Sequence, residues 1–297
     1  MEGLTLQHQH GKAKVRVARL WRLSSGEHRL VEWNVSISIT SHVLPAFTDG
    51  DNSKIVATDS IKNTVYALAK QCKQELSLED FGVIVGQHFV RTYPKIVTGS
   101  KIILFEKPWE RVSVDGAKHN HGFMLGSGKH TVEVIVGSDG HAKVTSGIAD
   151  LALLKTTQSG FENFVRDKYT VLKDTNERML ASSLTASWSY SRKPANYHKQ
   201  WEAVKTALTD TFFGPPRTGV YSPSVQNTLF LMAKAVLNRF PEVESVYLNM
   251  PNIHFLPVNL PTVGVTFDND VFLPTDEPHG SIEARLSRKD AMPKSKL

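Results

Sequence analysis

The chain has 297 residues, 40% of them hydrophobic, with 35 basic against 29 acidic side chains and a net charge of +6. That is enough apolar material for one large core or two domains of ordinary size, which excludes a disordered chain, and the basic balance favours anionic partners in general. The single cysteine, Cys72, excludes an intrachain disulfide and a cysteine-ligated zinc or iron–sulfur site, while scattered Lys and Arg argue against a nucleic-acid groove and the lack of about 18 uninterrupted apolar residues argues against a membrane helix.

The first residues are polar and histidine-rich, so no cleaved secretory leader is expected. Residues 15–20 and 32–39 alternate apolar with polar and predict a long antiparallel hairpin turning at Ser24-Ser25-Gly26-Glu27. Thr58 or Asp59 offers a cap for a helix through Ala69, placing Cys72 in helical surroundings. Ser77-Leu78-Glu79-Asp80 offers a capping-box start for a second helix, stopped by Pro94. Strands follow at 101–106, 111–114 and 130–136, and the last turns at Gly137-Ser138-Asp139-Gly140 into 142–155. The first half therefore reads β-β-α-α-β-β.

Beyond residue 155, Phe161, Phe164, Val165, Tyr169 and Leu172 recur at three- and four-residue steps, which predicts a helix with Phe164 and Tyr169 facing a core. Phe161 and Arg178 would stand about 25 Å apart on one straight helix, so both reach one small ligand only if the chain bends back, and 173–176 is polar enough to turn. Residues 180–191 then read as strand, 201–212 and 224–239 as helices, and 245–258 as a strand broken at Pro251. Residues 59–70 align with 223–234 at five of twelve positions, which suggests a tandem duplication with domains at 1–138 and 139–297. Half-polar strands of this kind predict an α+β fold in which antiparallel sheet is covered by helices on one face.

The run Leu151-x-Leu153-Leu154-Lys155-Thr156-Thr157-x-Ser159-x-Phe161-x-x-Phe164, continued by Tyr169, Leu172 and Arg178, resembles the signature of the urate oxidase (uricase) family. His10-Gly11-Lys12, Val56-Ala57-Thr58-Asp59-Ser60, Ser224-Val225-Gln226 and Pro251-Asn252-Ile253-His254-Phe255 resemble other segments of that family, although His10 stands where many relatives carry tyrosine. The resemblance implies two tandem tunnel-fold (T-fold) domains assembling into a β-barrel tunnel, and a homotetramer with active sites between subunits. It also implies oxidation of urate by O2 to 5-hydroxyisourate and hydrogen peroxide with neither metal nor organic cofactor.

On the matched positions, the resemblance assigns Phe161 to stacking on the purine, Arg178 to a forked contact with a carbonyl and ring nitrogen, and Gln226 to the opposite edge. A planar guanidinium and a primary amide suit those tasks. Val225, Asp59 and Thr58 are matched to ring contacts, Lys12, Thr58 and His254 to a proton relay, and Asn252 to the pocket above the ring that takes oxygen and water. Lys12 and Thr58 come from the first half and the others from the second, so the site joins two domains or two subunits.

Rival readings remain from the residues themselves. A non-catalytic purine or pterin binder would keep Phe161, Arg178 and Gln226 without a relay, and a zinc-dependent pterin-pathway hydrolase would need a histidine or cysteine ligand set. His8 and His10, and His119 and His121, have the alternate spacing of strand ligands, but the first pair sits near the terminus and the second reads as a polar loop of solvated side chains. The terminal Ser295-Lys296-Leu297 matches the tripeptide read by the peroxisomal import receptor, which makes peroxisomal import an expectation.

Overall fold

The structure is a computed structural model that describes residues 3–289; Ser295-Lys296-Leu297, on which the import expectation rests, lies outside them. The chain forms two compact units, one of residues up to Gly147 together with Pro194–Lys199, the other of Ile148–Lys193 and the residues from Gln200 onward.

In the first unit, β1 (His10–Arg22) and β2 (His28–Ser41) form the expected hairpin, followed by a short α1 (Leu44–Thr48), α2 (Thr58–Gln71) and α3 (Leu78–Thr92). Strands β3 (Val97–Glu106) and β6 (Lys129–Gly137) complete an antiparallel order β1-β2-β3-β6, while β4 (Trp109–Val114) and β5 (Ala117–Leu125) pair separately. Strand β2 alternates buried and half-buried positions, so Trp33, Val35, Ile37 and Ile39 all face the helices. Trp33 stacks on Phe81 of α3 with ring centres 4.2 Å apart. Among these apolar groups Glu79, fully buried, accepts hydrogen bonds from His130 (2.9 Å) and Ser146 (2.5 Å). Burial opposes ionisation of Glu79, but the hydrogen bond and charge of His130, with Ser146, outweigh it and leave the carboxyl below its usual range.

Strand β7 (Ala142–Lys155) carries the chain into the second unit, where β8 (Leu180–Tyr190), β9 (Val243–Asn249), β10 (Asn252–Pro257), β11 (Phe272–Thr275) and β12 (Glu283–Ser287) pair antiparallel in the order β12-β9-β8-β10-β11. Helices α4 (Tyr197–Phe213) and α5 (Val225–Arg239) bury Leu208, Phe212, Met232 and Val236 against Leu184, Trp188 and Leu248. Pro251 separates β9 from β10, as its missing N–H requires.

Several expectations need correction. Residues 161–172 form no helix. Asn163 adopts φ 59°, and an Asx turn in which Asp167 Oδ1 accepts from Tyr169 N (2.9 Å) interrupts the run, so Tyr169 is 77% exposed instead of core. Phe164 is half-buried and stacks on Phe161 at 4.8 Å. Ala57, not Thr58 or Asp59, occupies the cap position of α2, with no side-chain cap. Cys72 ends α2 in place of lying within it; its buried Sγ donates to the Leu68 carbonyl (3.2 Å), and burial raises its pKa. His119 and His121 lie in β5, their rings 4.6 Å apart, and not in a loop. The repeated segments fall on α2, the first long helix of its unit, and α5, the second helix of the other. That pairing of helices is therefore offset by one, while the order of two strands, two long helices and two strands does recur, as β1-β2-α2-α3-β3-β6 and β7-β8-α4-α5-β9-β10.

Candidate functional site

The first unit gathers Lys12, Thr58 and Asp59. Gly11 precedes Lys12 where β1 runs so close to β2 that a Cβ would overlap the Ile37 carbonyl oxygen and lie 2.8 Å from its carbon. A register shift between Lys12 and Val15, with Lys14 at φ 57°, twists the strand just beyond Lys12. His10 Nε2 lies 3.0 Å from the Val56 carbonyl oxygen, tying this strand end to the segment that enters α2. Thr58 and Asp59 then open α2, whose first-turn N–H groups have no capping side chain and point outward, an arrangement that favours an anion. Asp59 is held below the usual carboxyl range by the hydrogen bond and charge of Lys62 at 2.7 Å, with the Asn63 amide and the charge of Lys12 adding to it. The strand end and the helix start therefore form one polar group.

The second unit gathers Phe161, Arg178, Asn252 and His254 around a cleft of about 410 Å³, which Ile253 and Phe255 also line. The chain from Phe161 to Arg178 does bend back. Phe161 exchanges backbone hydrogen bonds with Thr175 (2.7 and 3.1 Å), and Arg178 N donates to the Ser159 carbonyl (2.9 Å). Gly160 permits this crossing, because a Cβ there would overlap the Tyr221 hydroxyl and stand 2.8 Å from the Thr175 carbonyl oxygen. The Arg178 guanidinium lies 5.5 Å from the centre of the Phe161 ring and donates through Nε to Ser159 Oγ (3.3 Å). Among the described residues no carboxylate pairs with it, since Asp174 pairs with Arg166 at 2.9 Å. Burial pushes the Arg178 pKa down, and the remaining guanidinium donors are suited to a ligand.

Asn252 and His254, two apart on β10, share a face. Asn252 Nδ2 stands 3.3 Å from His254 Nδ1, within hydrogen-bond distance, so the amide and the ring are linked on this face. Val225 is buried at the start of α5, capped by Ser224 Oγ accepting from Asn227 N (3.1 Å), and Gln226 is exposed beside it. Gln226 lines a smaller groove between α5 and β12 and not the Phe161 cleft.

Sequence reading quoted Lys155 and Ser159 only as family positions and missed, with Ser222, what they hold: Ser159 and Ser222 are 0% and 2% exposed and pair as a parallel bridge, and the Lys155 ammonium points inward. The signal was present in the alternation Leu151, Leu153, Lys155, which sets the lysine on the buried side of β7. As for metal, no set of three His, Cys, Asp or Glu side chains among the described residues converges to hold an ion.

The sequence pattern of the Uricase family matches residues 8–135 and 144–283. The chain is 57% identical over 300 residues to "Uricase" of Arabidopsis thaliana and 56% identical over 299 residues to "Uricase-2" of Phaseolus vulgaris, in each case covering 97% of both chains. It superposes on the crystal structure of uricase from Arthrobacter globiformis with a TM-score of 0.88 at 31% identity, covering 97% of this chain and 96% of that one. The antiparallel strands and paired helices of each unit are of the tunnel-fold α+β class, and with both units matched in sequence and structure the chain belongs to the uricase family.

Proposed function

We propose that this chain oxidises urate with O2 and water to 5-hydroxyisourate and hydrogen peroxide. Urate gives up two electrons, O2 takes them with two protons to become peroxide, and water supplies the new hydroxyl at C5. The observation that carries the reading is the cleft in which Phe161, Arg178, Asn252 and His254 meet around a space for a flat polar ligand. Phe161 stacks on the purine, a contact of about 1–3 kcal/mol. Arg178 forks to a carbonyl and ring nitrogen, favouring the urate anion, which supplies electrons without a cofactor. The family pattern matches Gln226 and the Val225 backbone to the far edge of the ring, although in the single chain Gln226 lines the groove between α5 and β12. Lys12, Thr58 and His254 pass protons between substrate, water and peroxide, and Asn252 holds oxygen and then water above the ring.

Likeness to the uricase family supports a homotetramer with active sites between subunits and a β-barrel tunnel, and Lys12, Thr58 and Asp59 lying in one unit with the remaining groups in the other is compatible with that assembly. Ser295-Lys296-Leu297 addresses the chain to the peroxisome. The purine or pterin binder finds no support in relatives named uricase. The decisive experiment follows urate absorbance, oxygen uptake and peroxide together with chelator-treated protein: equal consumption of urate and oxygen with peroxide release is expected. Binding without consumption would establish the binder, and activity lost on chelation would establish a metal enzyme.

A further inference from the structure

We infer that Lys155 is a positioning residue of the urate site, fastening the segment that leads into α5 to the end of β7 and so setting Val225 and Gln226 against the chain that carries Phe161. The inference rests on the urate reading above. Lys155 follows Leu151 and Leu153 on the inward side of β7, where those leucines are 4% and 5% exposed. Its Nζ donates to the Val220 carbonyl (2.7 Å), to Ser222 Oγ (2.7 Å) and, at 3.4 Å, to the Phe212 carbonyl. Among the described residues no carboxylate stands beside it, and burial pushes its pKa down to about 8. An inward cation with only neutral acceptors is a poor core filler, since an apolar side chain would pack there without the desolvation cost. What the lysine contributes is a specific geometry.

That geometry converges on Ser222. Its N–H donates to the Gln158 carbonyl and its carbonyl accepts from Gly160 N, both at 2.9 Å, one residue from Phe161. Its Oγ accepts from Thr228 Oγ1 (2.7 Å) within the first turns of α5, the helix that Val225 and Gln226 begin. The ammonium thus binds the hub through which both substrate-holding segments are referred to each other. Without it, Val220 O and Ser222 Oγ lose their charged donor and the α5 start is free to shift, and displacements of about 1 Å can cost up to two orders of magnitude in rate or affinity.

The test compares wild type, Lys155→Met and Ser222→Ala by anaerobic equilibrium dialysis with urate, by steady-state kinetics in urate and in oxygen, and by thermal unfolding. We expect Lys155→Met to raise the urate Kd and KM together by about tenfold while KM for oxygen is unchanged, and Ser222→Ala to act in the same direction to a smaller extent. A lower Tm or a reduced active fraction with urate Kd unchanged would overturn the inference and leave Lys155 a structural residue. If Lys155→Met fails to fold, Ser222→Ala decides on the same criterion. Wild-type protein that neither binds nor consumes urate would overturn the functional reading itself, whereas wild-type activity with unmoved variants would overturn only this inference.

Discussion

Arg178 and Lys12 are both cations of the proposed urate site, yet their surroundings differ. Arg178 is half-buried, fixed through Nε to Ser159 and set 5.5 Å from the Phe161 ring, a setting that suits the proposed role of holding the ring. Lys12 sits at a strand end beside the opening of α2, where a flexible ammonium suits the proposed role of carrying protons. Arg178→Ala is therefore expected to raise KM for urate by about 10- to 100-fold, the range for losing a charged hydrogen-bonded partner. Lys12→Ala should mainly lower kcat. Equal changes of both constants in the two variants, measured by initial rates over urate concentration, would contradict that division.

At the scale of elements, Glu79, His130 and Ser146 join α3, β6 and β7 inside the first unit's core. The folded pKa of Glu79 is depressed, so its contribution to stability is fully present above the unfolded value of about 4.3 and is lost as pH falls through the folded value. Glu79→Gln should cost about 1–3 kcal/mol at pH 7 and flatten the loss of stability on acidification below pH ~4.3. Burial holds Glu106 of β3 the other way, above its usual range, and the charge of Glu79 adds to that, so the comparison is made in a Glu106→Gln background, where this second group is removed. Thermal unfolding across the acid range checks both parts, and an acid limb as steep as that of the Glu106→Gln parent would contradict them.

The same scale shows what the sequence made legible. Alternation read correctly for β2, where one face packs on helices, and Ser77 capped α3 as its spacing implied, accepting from Asp80 N at 3.0 Å. Periodicity misled between Phe161 and Leu172, because aromatic spacing there serves a loop folded back on Thr175, and the Asn163 and Asp167 turn signals carried the correct local information. The candidate site residues came from the family pattern and not from composition, since Asn252 and His254 look like any strand pair until β10 puts both on one face. Strands β11 and β12 went unread; they are short, and β11 is defined by pairing with β10.

For the whole molecule, the proposal that the site takes residues from two subunits gives an expectation that a self-contained monomer would not meet. Subunits of Lys12→Ala and Arg178→Ala, each nearly inactive at urate well below the raised KM of Arg178→Ala, should regain activity under those conditions when dissociated and reassembled together. If each site takes Lys12 from one subunit and Arg178 from its neighbour, random mixing leaves about one quarter of sites with both natural residues. Recovery toward that fraction supports sites shared between subunits, and no recovery from correctly reassembled mixtures would place each site within one chain.

An enzyme that releases peroxide works in its own oxidant, and the residue with most to lose is Cys72. Only the thiolate reacts readily on the path to sulfenic acid. Buried at the end of α2, hydrogen-bonded to Leu68 and with its pKa raised, the sulfur is held as an inert thiol. The fold thereby shields the chain's one sulfhydryl from successive turnovers, and self-inactivation through that route is suppressed by packing alone.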